Sequence, residues 1–412
     1  MQYMTKTKAL LYGLFLLTVV RLSAQSNALS DSPYSVFGIG IPNAFSTGKT
    51  NALGGAGIAL KSDNSLNALN PASLGAMPVK HFFFDIGYTS QYTSLSQGSR
   101  NGTQSISSFS NLAMAFPVTK ESAVSLILAP YSKVAYNLSG VTTSIEGSTS
   151  FYTSDVEANG GVNSLDLNYG YSFWDKLRLG VTGTYYFGKT EQTTYNDILG
   201  YSLDIQEESR YTGYRLGAGL QFDLNQNISL GSTLKLPATL ETNQKSIISQ
   251  DYDDDITEET SLDNFDLPLE IGFGLEFKFG ENYAFYTDYI RKSWSNTQQA
   301  DALDYYKDQE EFKAGITFTP HPGGLYYWQN IEYRAGINYD TGYLTIAGKD
   351  IDQYSLSLGL GLPVSRSGSK LNLMYSYGQN GTRSNNLVFE KIHSLSINFS
   401  LDGIWFVKSK YN

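Results

Sequence analysis

The stretch Tyr354-Ser355-Leu356-Ser357-Leu358-Gly359-Leu360-Gly361-Leu362 sets a large apolar side chain at every second position, with serine or glycine between. Successive side chains of a strand point to opposite faces, so this segment has one greasy face and one small or polar face. The alternation recurs. Leu267, Leu269, Ile271, Phe273, Leu275 and Phe277 interleave with Glu270, Gly272, Gly274, Glu276 and Lys278. Tyr214, Leu216, Ala218, Leu220 and Phe222 interleave with Arg215, Gly217, Gly219, Gln221 and Asp223, and Leu395, Ile397, Phe399 and Leu401 with Ser394, Ser396, Asn398 and Ser400. A soluble β-sandwich also alternates, but these runs last about 9–12 residues, the length a tilted strand needs to cross a bilayer. Their polar partners are glycine, serine or charged residues, which suit a crowded or wet lumen.

The connections between such runs come in two kinds. Six are short: Val118–Glu121, Trp174–Lys176, Asn225–Asn227, Gly280–Asn282, Pro320–Gly324 and Ser365–Ser369. Seven are longer and more polar, near 96–103, 139–157, 189–210, 240–265, 293–309, 340–350 and 379–390. Short periplasmic turns and long outer loops are the habit of outer-membrane barrels. Thirteen connections give 14 strands with both ends periplasmic. The sequence therefore predicts an all-β fold, a transmembrane antiparallel β-barrel of 14 strands. Trp174, Trp328 and Trp405 fall near inner strand ends, with Phe173, Tyr326 and Tyr327 beside them, and Trp294 near an outer end, as two interfacial aromatic belts require.

Composition agrees and excludes other classes. Charged residues are 17% of the 412, tyrosines number 31, glycines 39 and prolines only 11. The net charge of −10 makes a poor nucleic-acid binder. With no cysteine there is no disulfide framework, thiolate metal site, cysteine nucleophile or lipoprotein anchor. Residues 1–24 read as a cleavable export signal: Lys6 and Lys8, an apolar core from Ala9 to Val20, then Leu22-Ser23-Ala24 before Gln25. No other apolar run reaches 18 residues, so membrane-spanning helices are excluded. The expected division is 1–24 signal peptide, 25–80 an N-terminal segment ahead of the barrel, 81–401 barrel and 402–412 periplasmic tail.

Residues 26–80 do not alternate. They hold Ser32-Pro33-Tyr34-Ser35-Val36-Phe37-Gly38-Ile39-Gly40, then Ala52-Leu53-Gly54-Gly55-Ala56-Gly57-Ile58-Ala59, then Asn67-Ala68-Leu69-Asn70-Pro71-Ala72-Ser73-Leu74. The glycines permit close backbone approach and positive φ, and Asn70-Pro71 favours a turn. With a 14-stranded barrel behind it, this combination resembles the FadL/OmpP1/TodX family of outer-membrane transporters of hydrophobic compounds. The opening Ser-Pro-Tyr-Ser and the ending Ile404-Trp405-Phe406-Val407-Lys408 resemble its Bacteroidota members. The resemblance implies an N-terminal hatch inside the lumen, with Gly54, Gly55, Gly57, Asn70, Pro71 and Ala72 as its motif. It also implies that the Asn-Pro-Ala segment packs near a kink in the third strand, where a side opening releases ligand into the outer leaflet. Independently, the third predicted strand, about Glu121 to Leu138, contains Pro130, which cannot donate to a β ladder. Pro130 is either a lateral gate or an ordinary bulge near the outer rim, and the sequence leaves both open.

Catalysis is not expected. His81, His321 and His393 fall at a strand start, in a short turn and on a lipid-facing position, without a serine and carboxylate partner. The acidic run Asp251 to Glu259 lacks the glycine and final glutamate of a calcium loop, which favours a solvated loop. No cofactor or metal is assigned. A short lid helix is a further expectation for 297–311. Asp166, Arg178, Arg215, Glu270, Glu276, Lys278, Lys313, Glu332 and Arg334 share the inward parity, so mutual pairing and contact with the hatch backbone are expected. The resulting expectation is a bacterial outer-membrane protein for passive uptake of fatty-acid-like or hydrocarbon molecules, in contact with outer-membrane lipid and lipopolysaccharide. The alternative is an accessory barrel subunit of a larger secretion or barrel-assembly complex, with other outer-membrane proteins as partners.

Overall fold

The structure, a computed structural model, describes residues 32–43, 46–144, 151–174, 176–198, 201–250, 254–299, 306–365 and 368–404. The expected export signal, Trp405 and the rest of the tail lie outside them. Fourteen antiparallel strands form the barrel: β1 (His81–Gln97), β2 (Arg100–Pro117), β3 (Ser122–Pro130, continued as Ser132–Ser144), β4 (Phe151–Phe173), β5 (Leu177–Ile198), β6 (Tyr201–Asp223) and β7 (Ile228–Lys235, continued as Ala238–Gln250) make the first half. The second half is β8 (Ile256–Leu267, continued as Glu270–Phe279), β9 (Tyr283–Lys292), β10 (Gln309–Phe318), β11 (Glu332–Asp340), β12 (Gln353–Pro363), β13 (Lys370–Gly381) and β14 (Phe389–Ile404). Each strand pairs with its sequence neighbour, and β14 closes on β1 from His81↔Ile404 to Ser96↔Phe389. Closure joins the last strand to the first, as a sheet surrounded by lipid requires. The last strand runs to Ile404, so Asp402 to Ile404 belong to the barrel rather than to a tail.

The period-two pattern does what its physics demands. In β12, Tyr354, Leu356 and Leu358 are 49%, 50% and 53% exposed on the outside, whereas Ser357 between them is 3% exposed on the inside. The interior is taken up by the N-terminal segment. Its regular pieces are a 3-10 turn at Pro33–Val36, a two-residue strand at Ile41–Pro42, a helical turn at Gly48–Asn51 and a 3-10 helix at Pro71–Ala76.

Two expectations need correction. Most of 189–210 and 240–265 is not loop. β5 and β6 continue to the pair Ile198↔Tyr201, and the outer halves of β7 and β8 pair from Ala238↔Leu267 to Ile248↔Ile256. Beyond their bases, where Leu240 and Phe265 are buried, these extensions carry mostly polar side chains on both faces, so little selects for apolar alternation and the hydrophobic pattern is silent. The acidic run follows suit: Thr257, Glu258 and Glu259 are rungs opposite Ile247, Ser246 and Lys245, while Asp251–Asp253 lie outside the described residues. Among the described residues the outer half of β8 pairs in the sheet on one side only, with β7, and its other edge carries Glu258, Glu259 and Asp263. The lid-helix expectation for 297–311 falls largely on 300–305, outside the described residues; the described flanks hold a 3-10 turn at Trp294–Asn296 and a bridge from Tyr306 to Leu344 before β10 starts at Gln309.

Trp294 is the second. Trp174 and Trp328 are 85% and 56% exposed at the short-turn end, as a belt requires, but Trp294 is 1% exposed. It packs against Tyr343 with ring centroids 4.9 Å apart, and its indole N–H donates to Gln309 at 3.0 Å, so it roofs the lumen instead of facing lipid. Leu358→Arg should destabilise the barrel by about 2–4 kcal/mol. The check is the urea dependence of the folded band in unheated electrophoresis after refolding into vesicles; an unchanged midpoint would contradict the lipid-facing placement.

A plugged lumen and a break in the wall

The plug is fastened through backbone groups that would otherwise be orphaned. Asn70 caps the 3-10 helix Pro71–Ala76: its Oδ1 accepts from Ala72 N at 3.0 Å while its Nδ2 donates to Ile58 O at 2.9 Å and, across to the wall, to Leu220 O at 3.1 Å. Asp288 of β9 accepts from Gly57 N at 2.6 Å and Ile58 N at 3.0 Å. Ser357 accepts from Gly54 N and donates to Ala52 O, both at 3.1 Å. Glycine is required at this seam: Gly54 has φ +67°, and a Cβ on Gly336 would lie 2.1 Å from Gly54 N. Gly55 lies next to the Lys313 side chain. Inward glycines of the wall thus form the seat of the plug.

The inward charges are largely paired with one another. Asp223 receives Lys61 of the plug at 3.0 Å and Arg178 at 2.7 Å. Glu332 bridges Arg334 and Lys370, and Glu311 bridges Lys292 and Lys313 at 2.5 and 2.6 Å. Glu270 meets Lys235 at 3.1 Å, and Glu276 meets Lys278 at 3.6 Å. Asp166 accepts from Thr184. Arg334 also donates to Gly48 O at 3.3 Å, tying the pairs to the plug.

Pro130 divides β3. Below it, Ser122–Pro130 pairs with both neighbours, up to Leu112↔Leu128 on β2 and Pro130↔Asn163 on β4. Beyond it, Ser132–Ser144 keeps β4 and has no β2 rung; the start of its vacated edge is taken by the plug strand through Ile41↔Lys133 and Pro42↔Ser132. Asn43 N donates to Tyr131 O at 2.7 Å, Asn43 Nδ2 to Pro130 O at 3.2 Å, and Ser132 Oγ to Ile39 O at 2.6 Å. Opposite the break, Gly161 of β4 sits at φ +146°, and a Cβ there would lie 2.3 Å from Ser132 O. The plug residues at the break are therefore Ile39 to Asn43. Asn70-Pro71-Ala72 instead abuts Gly170, Gly180 and Gly219 in the short-turn halves of β4 to β6, away from the kink where the family resemblance would put it.

Sequence reading missed a second interruption. Leu236-Pro237 splits β7 and Pro268-Leu269 splits β8, side by side, although alternation runs through Pro268 without a pause. Arg215 of β6 donates from Nε to Leu236 O at 2.7 Å and from its other end to Pro268 O, supplying the partners that the lost rungs withdraw. The proline argument applied to Pro130 would have found both positions.

Between plug and wall lies a chamber of about 340 Å³ reaching to the β2–β3 break, lined both by polar groups such as Lys133, Glu311 and Glu390 and by apolar side chains such as Ile106, Leu344 and Met374. On its long-loop side the large apolar residues Tyr34, Ile39, Phe265, Trp294 and Tyr343 pack on one another and are buried. Burial and the nearby Glu390 push the Tyr34 phenol up to about 12, so it stays a neutral donor to Val388 O at 2.6 Å.

The sequence profile of the BamG family matches residues 4–412. No curated protein matches the chain. Among solved structures, the monoaromatic hydrocarbon channel CymD superposes with a TM-score of 0.61 at 16% identity, covering 87% of this chain and 98% of that one. The toluene transporter TbuX of Ralstonia pickettii gives 0.59 at 16%, covering 85% and 96%. A FadL homologue from Pseudomonas aeruginosa gives 0.59 at 12%, covering 86% and 98%. At such identities these likenesses establish the shared fold.

Asp288→Ala removes the acceptor of two buried plug amides, each costing about 1–3 kcal/mol when left unmade. The barrel should still form, while thermal stability falls and small fluctuating conductance steps appear in planar bilayers. A variant as silent and as stable as the parent would show that Asp288 does not hold the plug.

Proposed function

Because the chain belongs to the BamG family, we propose that it is an accessory, plugged barrel of the machinery that assembles β-barrels in a bacterial outer membrane. It acts as a docking wall rather than as a solute path. The observation that carries this reading is the family match over nearly the whole chain, and the lumen supports it: charged side chains such as Lys133, Lys292, Glu311 and Glu390 line the chamber behind the wall break alongside apolar ones, while Phe265 and Trp294 pack on their neighbours instead of lining it. The even strand number, the lipid-facing belt and the short-turn/long-loop asymmetry support an outer-membrane location, with residues 1–24 as the export signal, 25–80 as the plug and the long loops outside. The extensions of β5 to β8, paired into one continuous sheet, offer partners a rigid outer surface.

A second reading, passive delivery of a hydrophobic compound, is favoured by one specific observation. β3 breaks at Pro130 and loses its β2 rungs there, as a lateral gate into the outer leaflet would require. The solved channels with this fold, titled for monoaromatic hydrocarbons and toluene, lend it support. The energy would come from the solute's own partitioning into lipid.

One preparation separates the two. The tagged full chain is extracted in mild detergent and scored both for stoichiometric protein partners and for extractable apolar ligand. The assembly role predicts a second, larger barrel at about one copy per chain and defective insertion of other barrels on deletion. A lone monomer carrying fatty acid or hydrocarbon, with impaired uptake of that compound on deletion, would overturn it in favour of transport.

A further inference from the structure

The chain is acidic overall, and most of its described lysines and arginines are engaged by carboxylates or face the lumen. The outer end of β13 and β14 differs. Arg383 and Lys391 line one outward recess of about 410 Å³ together with Gln379, Thr382 and Phe389, and no carboxylate lines it. Neither cation forms an ion pair among the described residues. Arg383 instead lies over the Phe389 ring, 4.9 Å from its centroid, which fixes the guanidinium against the wall.

Register places this recess at a definite depth. On the outward parity of β14, Leu395 and Ile397 are 53% and 45% exposed to lipid. One rung further out, His393 stands opposite Tyr377 on β13 and Tyr92 on β1, and Tyr375 donates to or accepts from its Nδ1 at 2.8 Å. Such an aromatic cluster marks the level where hydrocarbon gives way to headgroups. Lys391 is the next outward rung, opposite Gln379 and Ser94, and Phe389 with its stacked Arg383 is the next. Two cations thus sit just beyond the aromatic level, directly above a greasy wall, where the headgroup phosphate of a lipid lying along β13 and β14 would be.

We propose that Arg383 and Lys391 bind the phosphate of an outer-leaflet anionic lipid, with Gln379 and Thr382 as neutral hydrogen-bonding groups. Planar guanidinium suits a phosphate oxygen pair and the ammonium supplies a mobile second charge. Acyl chains then lie over Leu395, Ile397 and Tyr375. This inference rests on the outward orientation of the long loops but not on the choice between assembly and transport. It makes the β13–β14 face an anchored, lipid-covered side, leaving the rest of the perimeter for partners.

The test is native mass spectrometry of the full chain in detergent, titrated with bisphosphorylated lipid A, with dephosphorylated lipid A and with inorganic phosphate. The parent should retain the phosphorylated lipid at least tenfold better than its dephosphorylated form and should not retain phosphate alone. R383Q/K391Q should lose about tenfold or more of that retention, whereas K349Q, an exposed cation on the hairpin Thr345–Asp350, should lose none. Heat-shifted electrophoresis confirms that each variant is folded, and the single variants R383Q and K391Q replace the pair if it is not. Equal retention by parent and variants, equal retention of the dephosphorylated lipid, or retention of phosphate alone would each overturn the proposal.

Discussion

Hydrocarbon offers no partner to a backbone amide or carbonyl, so every rung lost from the wall of this barrel must be replaced from inside. The three proline interruptions show how. At Pro130 the replacement is another strand, since Ile41 and Pro42 of the plug pair with Lys133 and Ser132 at the start of the edge that β2 leaves. At Pro237 and Pro268 it is a side chain, Arg215, whose guanidinium reaches the two stranded carbonyls. Plug and wall are therefore one hydrogen-bonded object, and the interior cannot be emptied without exposing groups in the wall itself.

That coupling gives the buried charges their sense. Ion pairs such as Glu332 with Arg334 and Lys370 contribute little net stability compared with a well-packed apolar core, because both partners lose water. Breaking one leaves an uncompensated charge, which is far more costly. Together with Asp288 and Ser357, they admit one seating of a glycine-rich segment that has few large side chains to define its own position. The closely packed outer cluster around Trp294 completes the seal.

The barrel itself was legible because lipid on one side and a packed lumen on the other impose a strict period of two, and Leu356 or Phe273 can only point one way. Beyond the bilayer that constraint vanishes. The polar strands around Lys189 and Lys245 then look like loops although their pairing is as regular as in the wall. Pro130 could be recognised because proline breaks a ladder wherever it stands. Pro268 was masked by the apolar residues flanking it, which keep their alternation across the gap. Trp294 misled for a different reason: an aromatic residue at a strand end can face the membrane interface or fold over the mouth, and only the partners Tyr343 and Gln309 decide. The plug motif was visible as glycines and Asn70-Pro71, but its address on β4 to β6 depends on which wall glycines face it, a long-range fact no local pattern contains.

The one-sided pairing of the outer half of β8 has a consequence for how densely the protein can be crowded. An unfinished sheet margin is a template for polymerisation, and the strand that meets it settles about 4.8 Å away. Two copies meeting margin to margin would press Glu258, Glu259 and Asp263 of each against the same row of the other. Mutual repulsion then guards the margin, and molecules packed shoulder to shoulder in a bilayer stay separate particles instead of fusing into a continuous fabric.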